Sequence, residues 1–289
     1  KLSFSNISFF IKLFKSLTLA KKIIEEFKPD VVLGVGGYAS GPVLRKAAKM
    51  GIPTLLQEQN SFPGLTNRIL SKKANSICVA YPGMDQFFSA EKITLTGNPI
   101  RSEIFSNSIS QEDGRKFFGL ETQKTTILAI GGSLGARTIN ESVCAIIPDI
   151  ISKDYQIIWQ TGKNYSYNLC NHFDAAKNKN IFVQEFIYEM PQAYAAADVI
   201  ISRAGAIAVS EIAAIAKPVI FIPSPNVTDD HQTKNAMVFV NHKAALLVKD
   251  DVARESLGSA LFALIDDKNA RSEMCENLKK LAMPDAAKS

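Results

Sequence analysis

This 289-residue sequence encodes an α/β protein with two doubly wound, Rossmann-like domains, each a parallel sheet covered by helices. Three observations carry that expectation. Short runs rich in β-branched residues alternate with helix-length segments; the runs are continuously apolar; and glycine clusters stand where a run ends and a helix follows. Uninterrupted apolar strands belong to sheets buried on both faces, which are built from strands joined by helical crossovers.

In chain order, the first element is a helix over Ile7 to Phe27. Phe10, Leu13, Phe14, Leu17, Ala20, Ile24 and Phe27 recur at helical spacing and form its expected core stripe. Ile7 and Ile11 lie off that stripe, beside Lys12, Lys15 and Lys22. Four strands follow, in DVVLGVGG, PTLLQEQ, SICVAYP and ITLTGNP, with helices expected around Gly41 to Lys49, Gly64 to Lys73 and Gly83 to Ala90. A doubly wound sheet normally opens with a strand and a glycine-rich turn, so a chain opening on a helix, without an initiator methionine, is expected to carry an incomplete first domain. Asn98-Pro99 interrupts the alternation. The expected domains are therefore residues 1–99 and 100–289. In the second, the strands are TTILAIGG, YQIIWQTG, NIFVQEF, DVIISRA, PVIFIPS and ALLVKD, joined by helices such as Ala136 to Ser152 and Ala206 to Ala216.

Composition sets bounds on function. With 46% hydrophobic and 21% charged residues, the chain has material for two globular cores. No apolar run is long enough to cross a bilayer; the nearest, Ala206 to Ile222, is interrupted by Glu211 and Lys217. Cys78, Cys144, Cys170 and Cys275 are far apart and lack Cys-x-x-Cys spacing. That argues against a zinc site or a disulfide framework and for a reducing compartment. Residues 1–74 hold twelve Lys and Arg against four acids, within a net charge of +5, which points to an anionic partner for the first half. Nucleic acid is disfavoured as that partner, because the basic half has no interleaved aromatic platforms and no known binding module.

The glycine clusters carry the chemistry. At the end of a parallel strand, a glycine-rich turn lets backbone N–H groups approach an anion, and the next helix aims its positive end at the same place. GGSLGA at 131–136 has that setting, as does GVGGYASG at 34–41. Neither ends in Gly-Lys-Ser/Thr, which disfavours ATP hydrolysis. Glu211, one to two turns into the helix after SRAG, is placed to accept hydrogen bonds from a ribose diol. Asp229 and Asp230 are candidate helix caps, and Gln232 and Asn235 offer amides suited to sugar hydroxyls.

Taken in order, GVGGYASGP, QEQNSFPGLTNR, TGNPIR, GGSLGAR, SRAGAIAVSE and DDHQTKNA resemble the MurG family of bacterial peptidoglycan glycosyltransferases over nearly the whole chain. The resemblance implies a GT-B fold, two Rossmann-like domains facing across a cleft. It implies inverting transfer of N-acetylglucosamine from UDP-N-acetylglucosamine to lipid I, giving lipid II. By the same resemblance Gly132 and Ser133 hold the diphosphate, Arg101 lies near the nucleotide, and Ile187 meets the uracil through its backbone. Ala206 and Ile207 line the nucleotide pocket, Glu211 takes the ribose hydroxyls, Gln232 and Asn235 read the sugar, and Asn60 reaches in from the other domain. Of the residues present, Glu58 is a candidate proton acceptor, with a structural carboxylate as the alternative.

The family often has His where this chain has Gln57, Thr where it has Ala208, and in some members Gln where it has His231. The glycine-rich loop carrying the histidine often proposed as catalytic base would precede Lys1. No cofactor and no metal is implied, and no Asp-x-Asp sequence occurs in the chain. The lipid-linked acceptor implies a peripheral enzyme on the cytoplasmic face of the plasma membrane, with an anionic membrane surface as a partner. Rival readings are another UDP-sugar enzyme of the same fold, such as a 2-epimerase or a glycolipid synthase, and a nucleotide-binding subunit without catalysis.

Overall fold

The computed structural model describes residues 4–104, 109–165 and 178–289, with side chains from residue 11 onward. The chain divides into two compact units between Asn98 and Pro99.

In the first unit, α1 (Phe4–Phe27) precedes β1 (Val32–Gly34), α2 (Gly37–Lys49), β2 (Thr54–Glu58), α3 (Leu65–Leu70), β3 (Ser76–Val79) and β4 (Ile93–Leu95). The strands form one parallel sheet in the order β1-β2-β3-β4. Leu56, Ile77 and Val79 from the sheet pack with Leu44 of α2, Leu70 of α3, and Met84 and Phe88. Each such side chain removed from water contributes about 1.5–3 kcal/mol.

The second unit contains α4 (Gln111–Phe117), β5 (Thr126–Ile130), α5 (Arg137–Ser152), β6 (Gln156–Gln160), β7 (Ile181–Gln184), α6 (Met190–Ala196) and β8 (Val199–Ser202). These are followed by α7 (Ala206–Ile215), β9 (Val219–Phe221), α8 (His231–Asn241), β10 (Leu246–Leu247), α9 (Ala253–Asp266) and α10 (Lys268–Leu281). All six strands are parallel, in the order β10-β9-β8-β5-β6-β7. Every residue of β5, β6, β8 and β9 is buried, as their unbroken apolar runs require. At the foot of the sheet, the Asp198 carboxylate accepts from the Arg115 guanidinium at 2.6 Å and from the Thr126 N–H at 2.7 Å, fastening α4 beneath β5 and β8.

Five expectations change. The segment Gly83 to Ala90 is not a helix but two 3-10 turns, Met84–Gln86 and Ala90–Lys92, because Gly83 enters in the left-handed region with φ 76° and the segment is too short to nucleate. On α1, Ala20 and Ile24 are buried as expected, but Phe14 and Phe27 are 71% and 79% exposed. The apolar stripe is wider than the surface α1 rests on; the side chains of Ile7 and Phe10 lie outside the described residues. Helix α2 begins at Gly37 rather than Gly41 and accommodates Pro42. Neither Asp229 nor Asp230 caps α8 through its side chain: both have positive φ, 55° and 53°, so the backbone turns sharply into the helix instead. Cys144 is disulfide-bonded, a contact made by the fold that sequence spacing does not foreshadow, while Cys78 and Cys275 are free thiols and Cys170 lies outside the described residues.

Arg115→Leu takes the directly bonded guanidinium from Asp198, with Lys217 remaining as the nearby positive charge; a urea titration is expected to show the second unit destabilised by about 3 kcal/mol, with little change in slope.

Candidate active site

The strand order decides where a ligand can enter the second unit. From β5 the chain steps outward to β6 and β7, then returns to place β8 on the other side of β5 and continues to β9 and β10. Right-handed crossovers running in opposite directions put their helices on opposite faces, so a crevice opens beyond the carboxyl ends of β5 and β8. Ile130 and Ser202 pair across that boundary. The turn Gly131–Gly135 leaves from the first and the Arg203–Gly205 turn into α7 from the second, so the two motifs singled out in the sequence emerge side by side.

The glycine turn is shaped by backbone-to-backbone contact. Gly132 and Gly135 have φ of +83° and +81°, a region costly for any residue with a Cβ. A Cβ on Gly135 would stand 2.1 Å from the Thr161 carbonyl oxygen, whereas one on Gly132 would meet nothing within 4 Å. Gly135 N–H donates to Gly132 O at 3.0 Å, closing the turn; Gly132 and Ser133 form its exposed rim, and α5 begins two residues beyond Gly135.

Glu211, on α7, is buried. Its Oε2 accepts from the Tyr194 hydroxyl at 3.0 Å, and Arg101 Nη2 lies 3.9 Å from Oε1. Burial pushes the Glu211 carboxyl above its ordinary value; the Tyr194 hydrogen bond and the Arg101 charge pull the other way without cancelling it. An acceptor held poor in donors inside a crevice is suited to a ligand that brings hydroxyl groups.

The remaining candidates fall into two groups. Ala206 and Ile207 open α7 at the same strand end as Glu211, with Ile207 exposed. Ile187 is buried after β7, and its N–H donates to Gln160 Oε1 at 3.0 Å. Gln232 accepts from Ser224 N–H at 2.9 Å and so holds the loop after β9. Asn235 is 1% exposed and donates to Ala204 O at 3.4 Å, supporting the turn after β8 from below. In the first unit, Glu58 is 2% exposed and its donors include the N–H and Nδ2 of Asn60 at 3.0 and 3.3 Å, Gly64 N–H at 3.2 Å and Asn67 Nδ2 at 2.8 Å. Glu58 and Asn60 are thus brought together. A proton acceptor at Glu58 would first have to release one of these donors. Among the described residues, no group of three or more His, Cys, Asp and Glu is placed to hold a metal ion.

Residues 1–79 match the glycosyltransferase family 28 N-terminal domain, and residues 126–289 match the family's C-terminal domain. The chain belongs to glycosyltransferase family 28. Within the family 28 relatives, the UDP-N-acetylglucosamine–N-acetylmuramyl-(pentapeptide) pyrophosphoryl-undecaprenol N-acetylglucosamine transferase of Phocaeicola vulgatus is 50% identical over 283 residues, covering 98% of this chain and 75% of the relative. The crystal structure of Acinetobacter baumannii MurG superposes with a TM-score of 0.75 at 29% identity, covering 96% of this chain and 76% of that one. UDP-GlcNAc 2-epimerase from Neisseria meningitidis, solved with UDP-GlcNAc, gives a TM-score of 0.71 at 15% identity, covering 96% and 79% of the two chains, and shares the fold alone. The expected architecture of two Rossmann-like domains is the family 28 architecture.

Two residues that hold these candidates escape a reading of sequence. Gln160, buried at the end of β6, donates from Nε2 to Gly132 O at 3.0 Å while its Oε1 accepts from Ile187 N–H, so one amide joins the loops after β5 and β7. Its signal was a polar residue closing the apolar run QIIWQ. Tyr194, within the alanine-rich AYAAAD, carried no signal beyond helical burial.

Gly135→Ala is expected to cost about 3 kcal/mol or more in thermal unfolding, since backbone must move, and Gly132→Ala only about 1 kcal/mol for its φ. For Glu211 the folded carboxyl binds its proton more tightly than the unfolded one. Its stabilising contribution is therefore complete below the ordinary carboxylate value and lost as pH rises through the raised one. Glu211→Gln should accordingly melt above the parent at pH 7, with the gap closing on acidification, as followed by calorimetry.

Proposed function

We propose that this family 28 chain transfers N-acetylglucosamine from UDP-N-acetylglucosamine to the muramyl sugar of lipid I, releasing UDP and forming lipid II. What carries the proposal is the crevice between β5 and β8, with the glycine turn on one side and Glu211 on the other, in a chain 50% identical to a transferase named for that reaction. The rim of the glycine turn and the amino end of α5 receive the donor diphosphate and stabilise the negative charge that grows on UDP as the glycosidic bond breaks. Ser133 adds a hydroxyl donor. Glu211 accepts from the ribose diol, Arg101 contributes positive charge beside it, and Ala206 and Ile207 bound the nucleoside. The carbonyl of Ile187 faces the base, its N–H being held by Gln160.

Gln232 and Asn235 act on the sugar by fixing the loops around it as much as by contact, given their internal partners. In the first unit, Glu58 organises the Asn60 turn, and Asn60 presents that turn to the acceptor. Inversion requires a base for the acceptor hydroxyl; Glu58 serves it only on losing one of the donors that now hold it.

We further place the protein at the cytoplasmic membrane surface as a peripheral enzyme. No helix among the described residues is long and apolar enough to cross a membrane. On α1, Ile11, Leu19, Ile23 and Phe27 are exposed at four- or eight-residue intervals, and Lys12, Lys15 and Lys22 are exposed near them. That combination suits apolar insertion among anionic headgroups.

The deciding assay supplies radiolabelled UDP-N-acetylglucosamine and lipid I to the purified protein. Label is expected in the lipid fraction with one UDP released per transfer; donor isomerised at C2 with no labelled lipid would overturn the assignment.

A further inference from the structure

Tyr194 occupies α6, on the segment joining β7 to β8, and its side chain is 2% exposed. Phenylalanine would fill the same volume. The difference is one hydroxyl, and a hydroxyl taken out of water costs about 1–3 kcal/mol unless an acceptor receives it. Here the acceptor is Glu211 Oε2, at 3.0 Å. The second oxygen, Oε1, is the one that lies near Arg101, whose side chain is largely exposed. The carboxylate is thereby divided: one oxygen is tied inward to the core, the other is left on the side of the exposed guanidinium.

We infer that Tyr194 is a positioning residue for the ribose of the donor nucleotide, its hydroxyl fixing one oxygen of Glu211 so that the other is held ready to accept from the ribose diol. The inference rests on the ribose-binding reading of Glu211 given above. Two physical consequences support it. Burial keeps the Tyr194 phenol protonated far into the alkaline range, so it remains a donor at every working pH. A carboxylate already held in one rotamer also loses less freedom when the ligand arrives, a saving of about 0.5–1.5 kcal/mol for a side chain of this kind.

The test is a binding cycle by calorimetry, with UDP and 2′-deoxyuridine diphosphate as the two probes and the parent, Tyr194→Phe and Glu211→Gln as the three proteins. A hydrogen bond to a charged acceptor is worth about tenfold in affinity, so the parent should prefer UDP by about that factor. In Glu211→Gln the preference should shrink severalfold. In Tyr194→Phe it should fall to about two- or threefold, with most of the loss borne by UDP. Thermal melts establish that each variant is folded.

If Tyr194→Phe keeps the parent's preference, or weakens both probes by the same factor, the tyrosine only packs and the inference is overturned. Should the parent itself fail to distinguish the probes, the ribose-binding reading of Glu211 falls, and this inference with it. That failure is recognisable because it appears in the parent alone.

Discussion

Strands β5 and β8 are neighbours in the sheet although some seventy residues of chain separate them, and the remainder of the second unit follows from that adjacency. Because the chain winds outward from β5 in one direction and from β8 in the other, the connections beyond their carboxyl ends diverge. The divergence leaves a crevice that no side chain has to be sacrificed to make. The glycine turn borders it on one side and the start of α7 on the other, and the polar residues with proposed roles in this unit are grouped around those two strand ends and the loops beside them. Asp198, by receiving both Arg115 and Thr126, secures the opposite end of the same strands.

What surrounds the crevice is arranged in depth. Gln160 does not line the glycine turn but grips it from beneath while holding the loop after β7. Asn235 supports the turn after β8, and Gln232 the loop after β9. Tyr194 stands behind Glu211. Buried amides and hydroxyls of this kind must be paired to be tolerated, so each bond that satisfies one of them also sets the position of a loop. Glu58 repeats the pattern in the first unit, where one carboxylate gathers the Asn60 turn and the start of α3.

Much of the fold was legible because burial on both faces leaves a plain mark. TTILAI, DVIIS and PVIFI contain no polar interruption, and each became a wholly or largely buried parallel strand. The glycine turn was legible for a related reason: glycine alone adopts its φ values without cost, and at Gly135 no Cβ fits the approach to Thr161. Phe14 and Phe27 misled because helical spacing reports an apolar face and not what covers it. The Gly83 segment misled because composition does not reveal a left-handed entry. Gln160 and Tyr194 were opaque for a deeper reason: their partners, Gly132, Ile187 and Glu211, are remote in sequence and are brought close by the strand order.

The contact between Gly135 and the segment Thr161–Gly162 involves main-chain atoms on both sides, and a Cβ on Gly162 would be as badly placed, 2.0 Å from Gly135 N. A compound designed to seat itself on the exposed rim that this contact holds in shape, at Gly132 and Ser133, would be recognised largely by main-chain groups that every amino acid shares. Resistance usually arises when a side chain is exchanged for another; at Gly135 and Gly162 any such exchange pushes a Cβ against backbone and deforms the turn itself. The exposed side chain of Ile207 is under no such backbone constraint, so if the proposed ligand seat is correct, an inhibitor anchored on the main chain of the glycine turn has fewer routes by which to be lost.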